Sequence, residues 1–228
     1  VPFFLETGQN LAVQLASDPR LLDATGDELH SIIGSRIQAV PYFDQFFVLE
    51  ANSETMLAGY PDDALANFKL YPDESIGLTL AASGVLTQIY SIPPITPEES
   101  ARVSFLVGIV DKGSVQRVLI GRTTLKTNPL TLPLIEGIDN MKNLNGTGFL
   151  LDENNRVIYH SDTVEMAATY NGQRSTEAIF YDDTASDGTR QLVYYQPVTG
   201  RPWAVVLTVP AQQAQQLALN IAMPLSLM

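Results

Sequence analysis

Cysteine is absent from the 228 residues, and only two histidines and one tryptophan are present. Without thiols there is no disulfide framework, no thiolate nucleophile and no cysteine-rich zinc site. Positive charge is scarce too: 13 Lys and Arg face 25 Asp and Glu, for a net charge of −12, and no basic run is interleaved with aromatics. A surface of that average sign repels a phosphate backbone, so nucleic acid is not an expected partner. Long apolar runs are missing until "LALNIAMPLSLM", Leu217 to Met228, which falls short of the about 20 residues a membrane span needs. That run reads as a docked C-terminal helix or as the start of a transmembrane helix, and its freedom from charge favours the second. What is present is a globular composition, with 45% hydrophobic residues, enough for a sizeable core.

Within that composition one pattern occurs twice. "FFVLEANSETMLAGY" from Phe46 and "GFLLDENNRVIYHSD" from Gly148 each read as strand, polar turn, strand. Phe47 falls on Phe149, Leu49 on Leu151, Glu50 on Asp152, Asn52 on Asn154 and Met56 on Ile158, at one separation and without a gap. After each hairpin come a short helix candidate and three β-rich runs. In the first half these are "VLTQIYSI", "ARVSFLVGIVD" and "QRVLIGRTTL"; in the second they are "TEAIFYD", "RQLVYYQPV" and "PWAVVLTVP". The order predicts an α+β chain of two tandem modules, each with a central antiparallel sheet of about five strands.

Ahead of the first hairpin, Phe4, Leu5, Leu11 and Leu15 have helical spacing, Pro19 starts a new segment, and Thr25 with Glu28 has the spacing of a capping box. Leu29, Ile32, Ile33 and Ile37 then line one stripe, and Pro41 stops it. If mostly helical, such a leader could reach about 50 Å, which suits a stalk. The expected division is 1–40 helical leader, 41–125 first module, 126–210 second module and 211–228 a C-terminal helix leading toward a membrane span. The stripe at Leu29, Ile33 and Ile37 suits either a homodimer contact or packing on its own sheet.

This plan, together with "GTGFLLDENNRVIYHSD" and "YYQPVTGRPWAVVLTVP" running into a helix, resembles the double Cache (dCache, PAS-like) sensor domains over essentially the whole chain. The most specific residues are Gly148, Asp152, Asn155, Val157, Ile158, His160, Val198, Gly200, Trp203 and Val206. The resemblance implies a long N-terminal helix and two PAS-like modules. It also implies a non-catalytic, extracytoplasmic ligand-sensing domain of a membrane-anchored signalling receptor with no cofactor. A histidine kinase is the expected output, with a diguanylate cyclase or chemoreceptor, or a ligand-free interaction module, as alternatives. Amino-acid receptors of this family carry an arginine-aromatic motif, a strand tyrosine and a terminal aspartate that holds the ligand's ammonium. Here Tyr90 fits the tyrosine, "SIGL" at Ser75 to Leu78 stands where the arginine motif belongs, and Arg122 takes the aspartate position. An arginine there reverses the sign of what can be bound. The expected ligand is therefore a small organic anion held by Arg122, with Thr87, Tyr90 and Ser104 as neutral groups around it. The competing reading makes Arg122 a strand-end residue paired with a surface acid.

Other candidates are weaker. His160, Ser161 and Asp162 are the residue types of a hydrolytic triad, but contiguous strand residues alternate faces and cannot converge. His30 has no second histidine at a ligand spacing. Trp203, beside Val205 and Leu207, reads as a core anchor.

Overall fold

A computed structural model describes residues 1–94, 99–162, 168–185 and 187–215. The chain divides into two compact units, the first holding Phe3–Ile92 and Ala101–Leu132, the second running on from Pro133. Each has one five-stranded antiparallel sheet, so the α+β expectation of tandem PAS-like modules holds.

In the first unit the strands are β1 (Gln45–Glu50), β2 (Met56–Tyr60), β3 (Thr87–Ile92), β4 (Arg102–Asp111) and β5 (Ser114–Thr124), in the order β2-β1-β5-β4-β3. In the second they are β6 (Thr147–Leu151), β7 (Val157–His160), β8 (Ile179–Thr184), β9 (Arg190–Pro197) and β10 (Ala204–Pro210), in the equivalent order β7-β6-β10-β9-β8. The duplication extends to an irregularity: pairing slips between Val48 and Leu49 in one hairpin and between Leu150 and Leu151 in the other. It departs at the turn. Leu49 pairs with Met56 but Leu151 with Val157, so the second turn is one residue shorter and Met56 corresponds to Val157, not Ile158.

The leader forms three helices, α1 (Pro2–Ala16), α2 (Arg20–Asp23) and α3 (Gly26–Ala39). Phe4 of α1 stacks on Tyr42 and meets Phe105 of β4 edge-on, which fixes this helix to one face of the first sheet. Gly8 lets it come close, since a Cβ there would stand 2.4 Å from Phe105 and from the Tyr42 hydroxyl. Leu29 and Ile33 are fully buried. They pack within their own module, whereas Ile37, the third residue of the stripe, is half-buried.

The opposite face of the first sheet carries Phe47, Leu49, Leu106, Val118 and Ile120, covered by Leu78 and Ala81. Those two belong to α5 (Pro72–Ala82), which follows the short α4 (Asp62–Ala66). Pro72 opens α5 at a position where its missing N–H is not needed, and the Glu74 carboxylate accepts the Tyr71 backbone N–H at 3.0 Å. Gly84, at φ +104°, ends it, a conformation that favours glycine. Burying each large apolar side chain on this face contributes about 1.5–3 kcal/mol.

In the second unit, α6 (Leu132–Asp139) precedes the hairpin, and Phe149, Leu151, Val193, Tyr195 and Val206 form the core. The short helix expected near 163–172 falls partly outside the described residues; Thr169 pairs as a bridge with Arg156. At the C-terminus 211–215 are helical, and the apolar run from Leu217 lies outside the described residues. Among those described, no helix is long and apolar enough to cross a membrane.

Candidate functional site

Four side chains cross the first sheet on a single row: Gln45 of β1, Arg122 of β5, Ser104 of β4 and Tyr90 of β3. Directly opposed residues in an antiparallel sheet share a face. Alternation along β1 and β5 puts the row on the Phe47 and Ile120 side, beneath α5. Three of the four residues expected to bind ligand therefore stand together. Thr87 does not. Three positions from Tyr90, it points to the other face and lines a crevice with Val13, Asp18 and Val107.

Arg122 is 3% exposed and is met by a residue the sequence reading did not single out, Glu74 on the first turn of α5, which is fully buried. Its Nε and Nη2 donate to the two carboxylate oxygens of Glu74 at 2.8 and 2.6 Å, and Nη2 also donates to the Lys69 carbonyl at 2.8 Å. The rings of Phe47, Phe68 and Tyr71 stand 4.9, 5.4 and 4.8 Å from the guanidinium carbon. Ser104 donates its hydroxyl proton to Glu74 at 2.6 Å. Beside it, the Tyr90 hydroxyl donates to Gln88, whose amide donates to the carbonyls of Gly77 and Val85 at 2.9 and 3.0 Å. Gln45 completes the row differently: its Oε1 is buried without a hydrogen-bond donor among the described residues. An orphaned acceptor of that kind costs about 1–3 kcal/mol.

These contacts correct the simple picture of Arg122 as a free anion receptor. The fork that matches a carboxylate already holds one, and a lone anion displacing it would strand the Glu74 charge inside the core. The competing expectation of an internal acid partner describes the contact, except that the acid is buried rather than on the surface. Glu74 was detectable in sequence only as the third residue after Tyr71 in "YPDE", a helix-start pattern. Nothing local pointed it at Arg122.

The other singled-out residues serve structure. The Asp162 backbone N–H donates to His160 Nδ1 at 2.8 Å, and the imidazole stacks on Phe149, so the three contiguous triad types do not converge. Ser161 Oγ accepts the Gly148 N–H at 3.2 Å. His30 joins α3 to β2 by a 2.9 Å contact with the Gly59 carbonyl. Trp203, 4% exposed, donates its indole N–H to Glu153 at 2.9 Å. Among the described residues no three His, Cys, Asp or Glu side chains are grouped to hold a metal ion.

No protein-family model and no curated protein sequence matches the chain. Solved structures do. The ligand-binding domain of the Pseudomonas aeruginosa PAO1 amino acid chemoreceptor PctC, in complex with GABA, is 19% identical with a TM-score of 0.64, over 90% of this chain and 91% of that one. The ligand-binding domain of Pseudomonas fluorescens chemoreceptor CtaA, in complex with L-isoleucine, is 18% identical with a TM-score of 0.63, over 94% and 88%. The extracellular domain of the putative histidine kinase rpHK1S-Z16 is 9% identical with a TM-score of 0.67, over 93% and 89%. At these identities the likeness is one of fold, two tandem PAS-like α+β modules.

Proposed function

We propose that this chain is the extracytoplasmic small-molecule-sensing domain of a membrane-anchored bacterial signalling receptor, non-catalytic itself, and that the site lies in the first module at Arg122 and Glu74. The observation that carries the reading is the buried, bidentate ion pair between the first sheet and α5. As a stability device such a pair is poor, because desolvating both charges cancels most of their attraction. As a recognition device it is well suited to a zwitterion. An amino acid entering between the partners gives its carboxylate to Arg122 and its ammonium to Glu74, with Gln45 Oε1 on the same row as a further acceptor. No charge is left unpaired at either end. This replaces the organic anion by an amino acid or other small zwitterion as the ligand. It also accords with the amino acid chemoreceptor PctC and with CtaA having this fold, and for the same reason a chemoreceptor output ranks ahead of a histidine kinase.

Signalling requires that the ligand bind two states unequally. The element carrying that difference is α5: Glu74 rides on its first turn, and spreading the pair displaces the helix from the sheet. A second reading, a partner-driven module without a small ligand, draws on the completeness of the internal pair.

The discriminating experiment is a thermal-shift screen with calorimetric follow-up, using L-amino acids and ω-amino acids beside the matching monocarboxylates and amines. A zwitterion at 100 times its Kd stabilises by about 2.7 kcal/mol, a rise of roughly 5–10 °C, and both Arg122→Ala and Glu74→Gln abolish it. A plain carboxylate that binds equally well to Glu74→Gln would overturn the zwitterion assignment. Silence across the panel would favour the partner-driven reading.

A further inference from the structure

The first module has a cavity on the leader side of the sheet, away from α5. It encloses about 240 Å³ between α1, α3 and the start of β1, lined by Leu11, Leu15, Val40, Phe43 and Phe46, with Asp18 and Arg36 at its polar end. The apolar part is large enough for a ring, since an apolar cavity of about 150 Å³ takes a benzene-sized molecule. Its aromatic wall is preformed: the rings of Phe43 and Phe46 lie 4.6 Å apart, tilted by 42°.

The polar end holds two guanidiniums, Arg20 and Arg36, with Asp18 between them and Glu28 near Arg20. Asp18 is held by Arg20, whose Nε and Nη2 donate to both its oxygens at 3.0 and 2.6 Å. Arg36 also reaches Asp18, through Nη2 at 3.0 Å. One carboxylate thus meets two guanidiniums, and Arg20 alone satisfies it bidentately. Arg36, whose side chain is 48% exposed, is thus engaged through one nitrogen only. Its Nε and Nη1 have no partner among the described residues. A guanidinium with open donors at the mouth of an apolar cavity selects for an anion with an apolar body.

We infer that this cavity is a second ligand site, for a small monocarboxylate with a ring-sized apolar group. The carboxylate sits on the open side of the Arg36 fork, and the body lies against Phe43 and Phe46 between Leu11 and Val40. The occupant touches α1 through Leu11 and Leu15, α3 through Arg36, and β1 through Phe46. It therefore ties two leader helices to the sheet and acts as an effector of the leader, independent of whatever the α5 site takes.

The test uses the whole chain and phenylacetate as probe, with 2-phenylethylamine and 2-phenylethanol as charge controls, read by isothermal titration and amide chemical shifts. Phenylacetate is expected to bind saturably, the amine not at all and the alcohol more weakly. Arg36→Gln weakens phenylacetate by about threefold to tenfold. Leu11→Phe, which fills the cavity, removes binding, and Arg36→Gln, at a half-exposed position, keeps the test valid if Leu11→Phe folds poorly. Shifted amides map to α1, α3 and β1. No saturable binding up to about 10 mM, where even a weak site would be occupied, overturns the inference. So does binding that both variants leave unchanged, or shifts confined to β3–β5 and α5. Failure here leaves the zwitterion reading intact, because Arg122 and Glu74 are not involved.

Discussion

Replacing Arg122 by Met tests the buried pair directly. The side chain of Arg122 is 4% exposed and that of Glu74 not at all, so the single change leaves a carboxylate in the core with only the Ser104 hydroxyl and the Tyr71 backbone N–H as donors. Removing one partner of such a pair costs about 3–5 kcal/mol, and for a unit of this size that lowers Tm by roughly 10–20 °C. The double variant Arg122→Met, Glu74→Leu removes both charges, keeps comparable volume against Phe47 and Phe68, and should regain most of the loss or exceed wild type, as apolar replacements of buried pairs often do. Urea unfolding followed by circular dichroism gives all four corners of the cycle. The double variant is then a stable module that no longer recognises a zwitterion, which separates scaffold from recognition. A loss below about 1 kcal/mol for Arg122→Met, in the range of exposed pairs, would refute the argument. A double variant no more stable than the single one would do the same.

Gly77 lies on the sheet-facing side of α5, where a Cβ would stand 2.6 Å from Leu106 and 2.7 Å from Tyr90; Gly77→Ala should destabilise by about 1–3 kcal/mol through overpacking, measured by urea midpoint. Ser104→Ala should weaken the ligand of the α5 site, whereas Thr87→Val, on the opposite face, should change its affinity less than about twofold; equal effects by calorimetry would contradict the face assignment. The Arg20 and Arg36 hydrogen bonds hold the Asp18 carboxyl below its ordinary 3.8. A depressed folded-state value stabilises above the unfolded value and is lost as pH falls through and below it. Wild type should therefore lose about 0.5–1 kcal/mol more than Asp18→Asn on going from about pH 6 to pH 3, a small figure because both arginines are solvent-screened. Parallel unfolding titrations check it, and identical slopes would contradict it.

Local pattern was enough to specify the two sheets, because alternation, turn residues and a repeated hairpin all act over a few residues. The shared slip at Val48/Leu49 and Leu150/Leu151 shows how closely the two hairpins correspond. It also placed Tyr90, Ser104 and Arg122 on strands that pair, so most of the row was legible. Thr87 was misjudged although strand alternation alone would have turned it away. The one-residue shortening of the second turn was hidden because the flanking residues still align without a gap.

Glu74 was beyond local reading. It lies 48 residues before Arg122, and its carboxylate reaches the guanidinium only because α5 docks on the Phe47 and Leu106 face. Likewise, the cluster of Asp18, Arg20 and Arg36 exists only because α3 packs beside the turn from α1 into α2. Pattern and propensity act over a few residues and set the elements. The charge state of a site is a sum over everything packed around it, and that sum is decided when the helices settle on the sheet.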